Sequence, residues 1–282
     1  MGRSKISALI GAALFLLPTA GAFAADIPEI PQPAQFAGNW YLKGYIGIAN
    51  QHFAGLDHPA FATPVFFEWI NQGQFAAVPL FGVGIGWRLS DHVRFDLTGE
   101  YRSQSSFTAL DHYDNVDPST NAGTPGVDYG YNYYTGKKSE LLFLANGYYD
   151  FSDWHGLTPY VGAGIGASYN IISDFLDSNL TVGGGGFAPT GYKLSFAWAL
   201  HAGASMQLSN NLSLDFGYSF VHLGDAQTGP FQNQDGVTGC IATPGTCVPM
   251  NFRGIYSHDF KVGVRYAFGG SGTSYYPPVV KY

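Results

Sequence analysis

The sequence predicts an all-β fold, an eight-stranded antiparallel β-barrel that crosses a membrane. Three observations point to it. From Val93 to Arg102, apolar and polar residues alternate without a break. Val93, Phe95, Leu97, Gly99 and Tyr101 share one side of a strand, and Arg94, Asp96, Thr98, Glu100 and Arg102 share the other. Charges are almost never buried unpaired, so an apolar face on lipid around an enclosed polar interior suits this stretch better than a soluble sandwich does. Second, the pattern recurs about eight times, with short turns and long loops in strict alternation. Third, the chain has 38 glycines, 16% aromatic and only 12% charged residues, where a soluble domain has about a quarter charged.

The elements follow in order. Arg3, Lys5, the apolar run Ala8 to Leu17 and the small-x-small site Ala22-Phe23-Ala24 read as a signal peptide over residues 1–24, because the run is too short to span a bilayer. Removing it leaves 11 basic against 20 acidic side chains, which disfavours nucleic acid as a partner. Residues 25–38 are a Pro-rich periplasmic lead that cannot join a ladder. The first strand, about Asn39 to Asn50, turns Trp40, Leu42, Ile46 and Ile48 to one face and Tyr41, Lys43 and Tyr45 to the other. A long segment, His52 to Gln74, reads as loop. The second strand sets Phe81, Val83, Ile85, Trp87 and Leu89 against Gly82, Gly84, Gly86 and Arg88. Ser90-Asp91-His92 turns into the third strand, after which Ser103 to about Lys137 reads as a polar loop.

The fourth strand places Leu141, Phe143, Ala145, Gly147 and Tyr149 outward and Glu140, Asn146, Tyr148 and Asp150 inward. The fifth opposes Val161, Ala163 and Ile165 to Tyr160, Gly162, Gly164 and Gly166, and a Gly-rich loop from Ser173 to about Gly191 follows. The sixth puts Leu194, Phe196, Trp198 and Leu200 outward with Lys193, Ser195 and His201 inward. The seventh carries Leu214, Phe216, Tyr218 and Phe220 outward and Asp215 inward. After a last long loop, the eighth sets Phe260, Val262, Val264, Tyr266 and Phe268 outward and Asp259, Lys261 and Arg265 inward. The barrel thus covers residues 39–268, with short periplasmic turns and long extracellular loops. Residues 269–282 follow as a flexible tail, given Gly269-Gly-Ser-Gly and Pro277-Pro278.

Several phrases, Asn146-Gly-Tyr-Tyr-Asp-Phe151, Thr158-Pro-Tyr-Val-Gly-Ala-Gly-Ile-Gly-Ala167, Leu214-Asp-Phe-Gly-Tyr218 and Ser257 to Phe268, resemble a known family. They are similar to the small outer-membrane β-barrel proteins of alphaproteobacteria, the porin-family or OmpA-like membrane domains. The resemblance implies an outer-membrane barrel. Such proteins are described as structural surface antigens, as adhesion-related proteins, or as binders of small ligands including haem. Chains of the family tend to end on the aromatic of the last strand, and here Phe268 holds that place before the tail.

The candidate site is the inner charge set Lys43, Arg88, Arg94, Asp96, Glu100, Arg102, Glu140, Lys193, Asp215, Asp259, Lys261 and Arg265. Eight strands leave an interior that side chains fill, so these groups should pair as a network that plugs the lumen. A narrow diffusion pore or a small-ligand receptor is the alternative. Inward glycines make room for Arg and Tyr opposite them. Cys240 and Cys247, in an exported chain, are expected to form a disulfide. Gly162-x-Gly164-x-x-Ala167 fits the dinucleotide fingerprint as letters only, because no helix opens there. Ser257-His258-Asp259 cannot converge as a triad, because neighbouring strand residues face opposite ways. His52, His58, His112 and His222, with Tyr129, Tyr131, Tyr133 and Tyr134, show no ligand spacing. The expectation is therefore a non-enzyme with no cofactor and no metal, bathed in outer-membrane lipid, whose loops or tail meet surface or cell-wall partners.

Overall fold

The computed structural model describes residues 39–62, 66–114, 129–181, 183–233 and 248–268. Among the described residues twelve strands follow one another: β1 Trp40–His52, β2 Gly55–Asp57, β3 Phe66–Asn71, β4 Val78–Arg88, β5 Val93–Asp114, β6 Tyr129–Asp150, β7 Leu157–Asn179, β8 Gly185–Ala188, β9 Gly191–Gln207, β10 Leu212–Pro230, β11 Gln232–Asn233 and β12 Pro249–Ala267. Eight of them close a ring in the order β1-β4-β5-β6-β7-β9-β10-β12, every pair antiparallel. The closing ladder pairs β1 with β12 from Tyr41↔Ala267 to His52↔Tyr256. Closure leaves no ladder edge in the hydrocarbon, where unpaired backbone groups have no solvent.

Alternation sorts the side chains as expected through the lower half of the ring. Ile48 is 59% exposed and Leu194 70% exposed on the outside, whereas Arg102 beside its partners is 0% exposed. Tight turns close the lower end. Ser90 Oγ accepts from the Val93 backbone N–H at 3.1 Å, and Ser209 Oγ accepts from that of Leu212 at 3.2 Å. The third turn places His155 and Gly156 at φ 56° and 86°, the left-handed pair that a two-residue hairpin requires, and Asp153 Oδ1 takes the Gly156 N–H at 2.9 Å.

The upper half differs from the expectation. β5 and β6 are 22 residues long and β7 is 23, about twice what a tilted strand needs to cross hydrocarbon. Much of the stretches Ser103 to Lys137 and Ser173 to Gly191 is therefore strand rather than loop. The reason is a change of facing at β-bulges. The β5–β6 register shifts between Arg102 and Ser105, and the β6–β7 register shifts at Thr135/Lys137, where Asp174 takes φ 53°. Each bulge inserts one residue and turns the following side chains over. Beyond it, Ser105, Phe107, Ala109 and Asp111 point inward and Ser106 and Thr108 outward. Apolar-in and polar-out replaces apolar-out and polar-in.

The segment from His52 to Gln74 is likewise structured. It holds β2 on β12, a 3-10 turn at Pro59–Ala62, and β3 on the outer part of β5 (Phe66↔Asp114 to Asn71↔Leu110). β10 and β12 also extend past their expected limits, with bulges at Gly224 (φ 68°) and Gly254 (φ 57°). Together these segments build a lobe above the membrane-spanning ring. The expected signal peptide, Pro-rich lead and tail, and the expected disulfide pair Cys240 and Cys247, lie outside the described residues.

Candidate functional site

Within the spanning half of the ring the inward charges pair in two tiers. In the upper tier Arg102 binds three carboxylates: Glu100 at 2.7 Å, Asp259 at 2.7 Å and Glu140 at 3.2 Å. Lys261 reaches Glu100 at 2.7 Å and Asp259 at 3.5 Å. Lys138 pairs with Glu140 and donates to Gln51 Oε1 at 2.8 Å. Ser257 Oγ donates to Asp259. The residues come from β1, β5, β6 and β12, because strands far apart in the chain face each other across the bore. In the lower tier Lys43 meets Asp96 at 2.7 Å, Arg94 meets Asp150 at 2.9 Å, and Arg265 meets Asp215 at 3.3 Å. Asp96 also accepts from Tyr41 Oη and from Asn146 Nδ2, while His201 bridges Asn146 and Ser219.

Tyrosines fill the space between. Arg94 lies over the rings of Tyr148 and Tyr160, 4.1 and 4.8 Å from their centroids. Glycines opposite them are obligatory for space: a Cβ on Gly86 would sit 2.1 Å from the Tyr41 ring, and one on Gly82 would sit 2.1 Å from that of Tyr45. Between the tiers a cavity of about 60 Å³ is lined by Lys43, Tyr45, Glu100, Tyr148, His201 and Lys261, room for a few waters.

Two sequence-nominated residues stand apart. Lys193 faces inward at the third position of β9, above the tiers, and its acid is Asp225 at 3.7 Å in the bulged part of β10. Arg88, at the lower end of β4 opposite Arg94 in register, makes no ion pair among the described residues. The sequence reading omitted Lys138, Gln51 and Asp150 from the set. Lys138 has the same facing as Glu140, two residues on, and this parity would have found it.

Above the charges the interior turns aromatic. Phe53, Phe75, Phe107 and Phe252 meet in the bore with ring centroids 5.1–5.8 Å apart. Lys138 Nζ lies 5.6 Å from the Phe75 centroid, at the junction of the two zones. Higher in the lobe, Asp111 accepts from Tyr134 Oη at 2.6 Å and from the Asn132 side chain at 3.2 Å. Asp177 stands next to Tyr134 in register, with its Oδ1 buried and unpartnered. Burial, with the nearby Asp111 carboxylate second, pushes the Asp177 carboxyl up to about 7. Burial also raises Asp111 and Tyr134.

The remaining candidates do not assemble. Ser257 and Asp259 face the lumen while His258 lies outside, bonded to Tyr218 Oη at 2.7 Å. His52 stacks on Tyr256 and His222 on Trp198 on the outer wall, His112 stacks on Tyr131, and His58 bonds the Val248 carbonyl. Gly162, Gly164 and Ala167 lie within β7.

A family model described as an outer membrane protein beta-barrel domain matches residues 10–268. An uncharacterized protein of Brucella suis biovar 1 is 30% identical over 223 residues, covering 73% of this chain and 75% of its own length. A Rickettsia massiliae protein provisionally named as an adhesin is 23% identical over 65% of this chain and 72% of its own. Among solved structures, the outer membrane protein OprG from Pseudomonas aeruginosa aligns at 11% identity with a TM-score of 0.43, over 82% of this chain and 96% of that one.

Proposed function

Because this chain belongs to the outer membrane protein β-barrel domain family and resides in the outer membrane, we propose that it is a non-enzymatic surface protein. Its work is structural or adhesive contact made by the lobe, over a lumen plugged by the ion-pair network. The observation that carries this reading is the lobe itself. Strands continue about ten residues beyond the hydrocarbon, roughly 25–30 Å at the usual rise and tilt, around their own aromatic core. A ring that only needed to anchor would stop at the membrane.

The outside of the lobe supplies a contact face. Phe66 and Ile70 on β3 and Tyr131 and Tyr133 on β6 are exposed, on neighbouring strands flanking β5. Clustered exposed apolar groups of this kind mark interaction sites. The adhesin name borne by the Rickettsia relative agrees with the reading.

The test is surface display of the full chain in a non-adherent bacterium, with attachment to eukaryotic cell monolayers scored. The chain should confer attachment, and F66S combined with Y131S and Y133S should lower it at equal surface level. K43M, in the lumen, should leave it unchanged. Attachment that survives the triple substitution, or no attachment by the wild type, contradicts the proposal.

A further inference from the structure

A shallow, open apolar groove runs across the outer wall of the spanning ring, over β4, β1, β12, β10 and β9. One bank is the cross-strand row Phe81, Ile46, Val262 and Phe216, and the other is Ile48, Phe260 and Tyr218. Ala202 and Ala204 of β9 continue the rows with single methyl groups and deepen one end. The medium at this depth is hydrocarbon, so the occupant that fits the groove is an acyl chain.

Polar groups begin at the groove's outer edge. Tyr218, on the bank, bonds through its hydroxyl to His258 Nδ1 at 2.7 Å. One facing position further out on β1, β10 and β12, His52 stacks on Tyr256 with centroids 5.5 Å apart, and His222 stacks on Trp198 at 5.7 Å. The His52 and His258 rings are 6.3 Å apart. The two rows, Asn50-His258-Phe220-Leu200 and His52-Tyr256-His222-Trp198, hold no carboxylate. Three imidazoles and two phenols thus form a donor-rich edge at the level where lipid headgroups lie, and a phosphate is the headgroup they complement.

We propose that this groove and its imidazole edge are a binding site for a phosphorylated outer-leaflet glycolipid. An acyl chain lies along the Ala202–Ala204 end, and a headgroup phosphate accepts hydrogen bonds from His52, His222 and His258. The site is independent of the adhesive reading, since it uses only the lipid-facing wall.

The experiment is native mass spectrometry of the refolded full chain, released from detergent after exposure to a bisphosphorylated, multiply acylated glucosamine disaccharide lipid or its dephosphorylated counterpart. The wild type should retain the phosphorylated lipid preferentially. A204F, which fills the groove, should lower retention of both lipids about tenfold. H52Q/H258Q should reduce the phosphorylated lipid to the level of the dephosphorylated one while leaving acyl retention intact. Both variants alter lipid-facing positions, and heat-modifiable gel mobility verifies that each is folded. Equal retention of the two lipids by the wild type, or retention unchanged in A204F, overturns the proposal; if A204F does not fold, the H52Q/H258Q comparison decides alone.

Discussion

Arg102 is the residue on which the upper tier turns. It is fully buried and satisfies Glu100, Glu140 and Asp259 at once. Removing one partner of a buried ion group leaves uncompensated charge, which typically costs about 3–5 kcal/mol. R102M should therefore lose stability of that order in urea unfolding from lipid vesicles, whereas L97A on the lipid face should lose far less. Asp177 gives a second residue-level expectation. Its folded carboxyl is raised to about 7, so the folded lobe binds the proton more tightly than the unfolded chain does. The associated stability is fully present below about pH 4, the ordinary carboxylate range, and is lost as pH rises to about 7, at most about 4 kcal/mol. Hydrogen-exchange protection of the lobe strands should fall across that window in the wild type and stay level in D177N. A protection profile in D177N that tracks the wild type would refute the assignment. At this scale the inward facing of the charged side chains was legible in the sequence. Facing parity alone nominated Arg94, Asp96, Glu100, Arg102 and Asp259. Lys193 faces inward as expected but pairs with Asp225 above the two tiers, because parity reports which side a residue faces and not how high it stands in the barrel.

At the scale of the element, β5 and β7 obey one facing rule in the spanning ring and its inverse in the lobe, because each carries a bulge, whereas β6 keeps one parity throughout. Period-two patterning revealed the spanning strands because an apolar-out face was sought. After the bulge at Arg102/Ser105 the same alternation runs in the opposite sense, so the stretch from Ser103 that holds Phe107 and Ala109 reads as a polar loop when an apolar-out face is sought. A bulge has no side-chain signature when no glycine marks it, as at Asp174. The lobe has its own core, and F107A, which removes a ring in contact with Phe53, Phe75 and Phe252, should cost about 3–5 kcal/mol. That loss should appear as faster exchange in β3 and the outer part of β5, with the amides of the spanning ring unaffected. In the ring, G86A places a methyl group against the Tyr41 ring and disturbs its bond to Asp96. A destabilisation of about 1–3 kcal/mol is expected, read as a lower urea midpoint.

Taken whole, the molecule reverses the usual order of a soluble protein. Its charges lie inside where the surroundings are hydrocarbon, and the lobe above has an aromatic core of Phe53, Phe75, Phe107 and Phe252. In the spanning ring the arrangement follows from one requirement, that the wall match the hydrocarbon outside it and the enclosed charges find partners of opposite sign. Six basic side chains (Lys43, Arg94, Arg102, Lys138, Lys261, Arg265) meet six acidic ones (Asp96, Glu100, Glu140, Asp150, Asp215, Asp259) in the bore. Phe53, Phe75, Phe107 and Phe252 stack above them.

The most direct test of a plugged barrel that acts through its lobe is single-channel recording of the refolded full chain in a planar bilayer. The account predicts a membrane that stays electrically silent, with R102M raising current noise as the network loosens. Steady, discrete conductance steps from the wild type would mean that the bore is open, and would contradict the account.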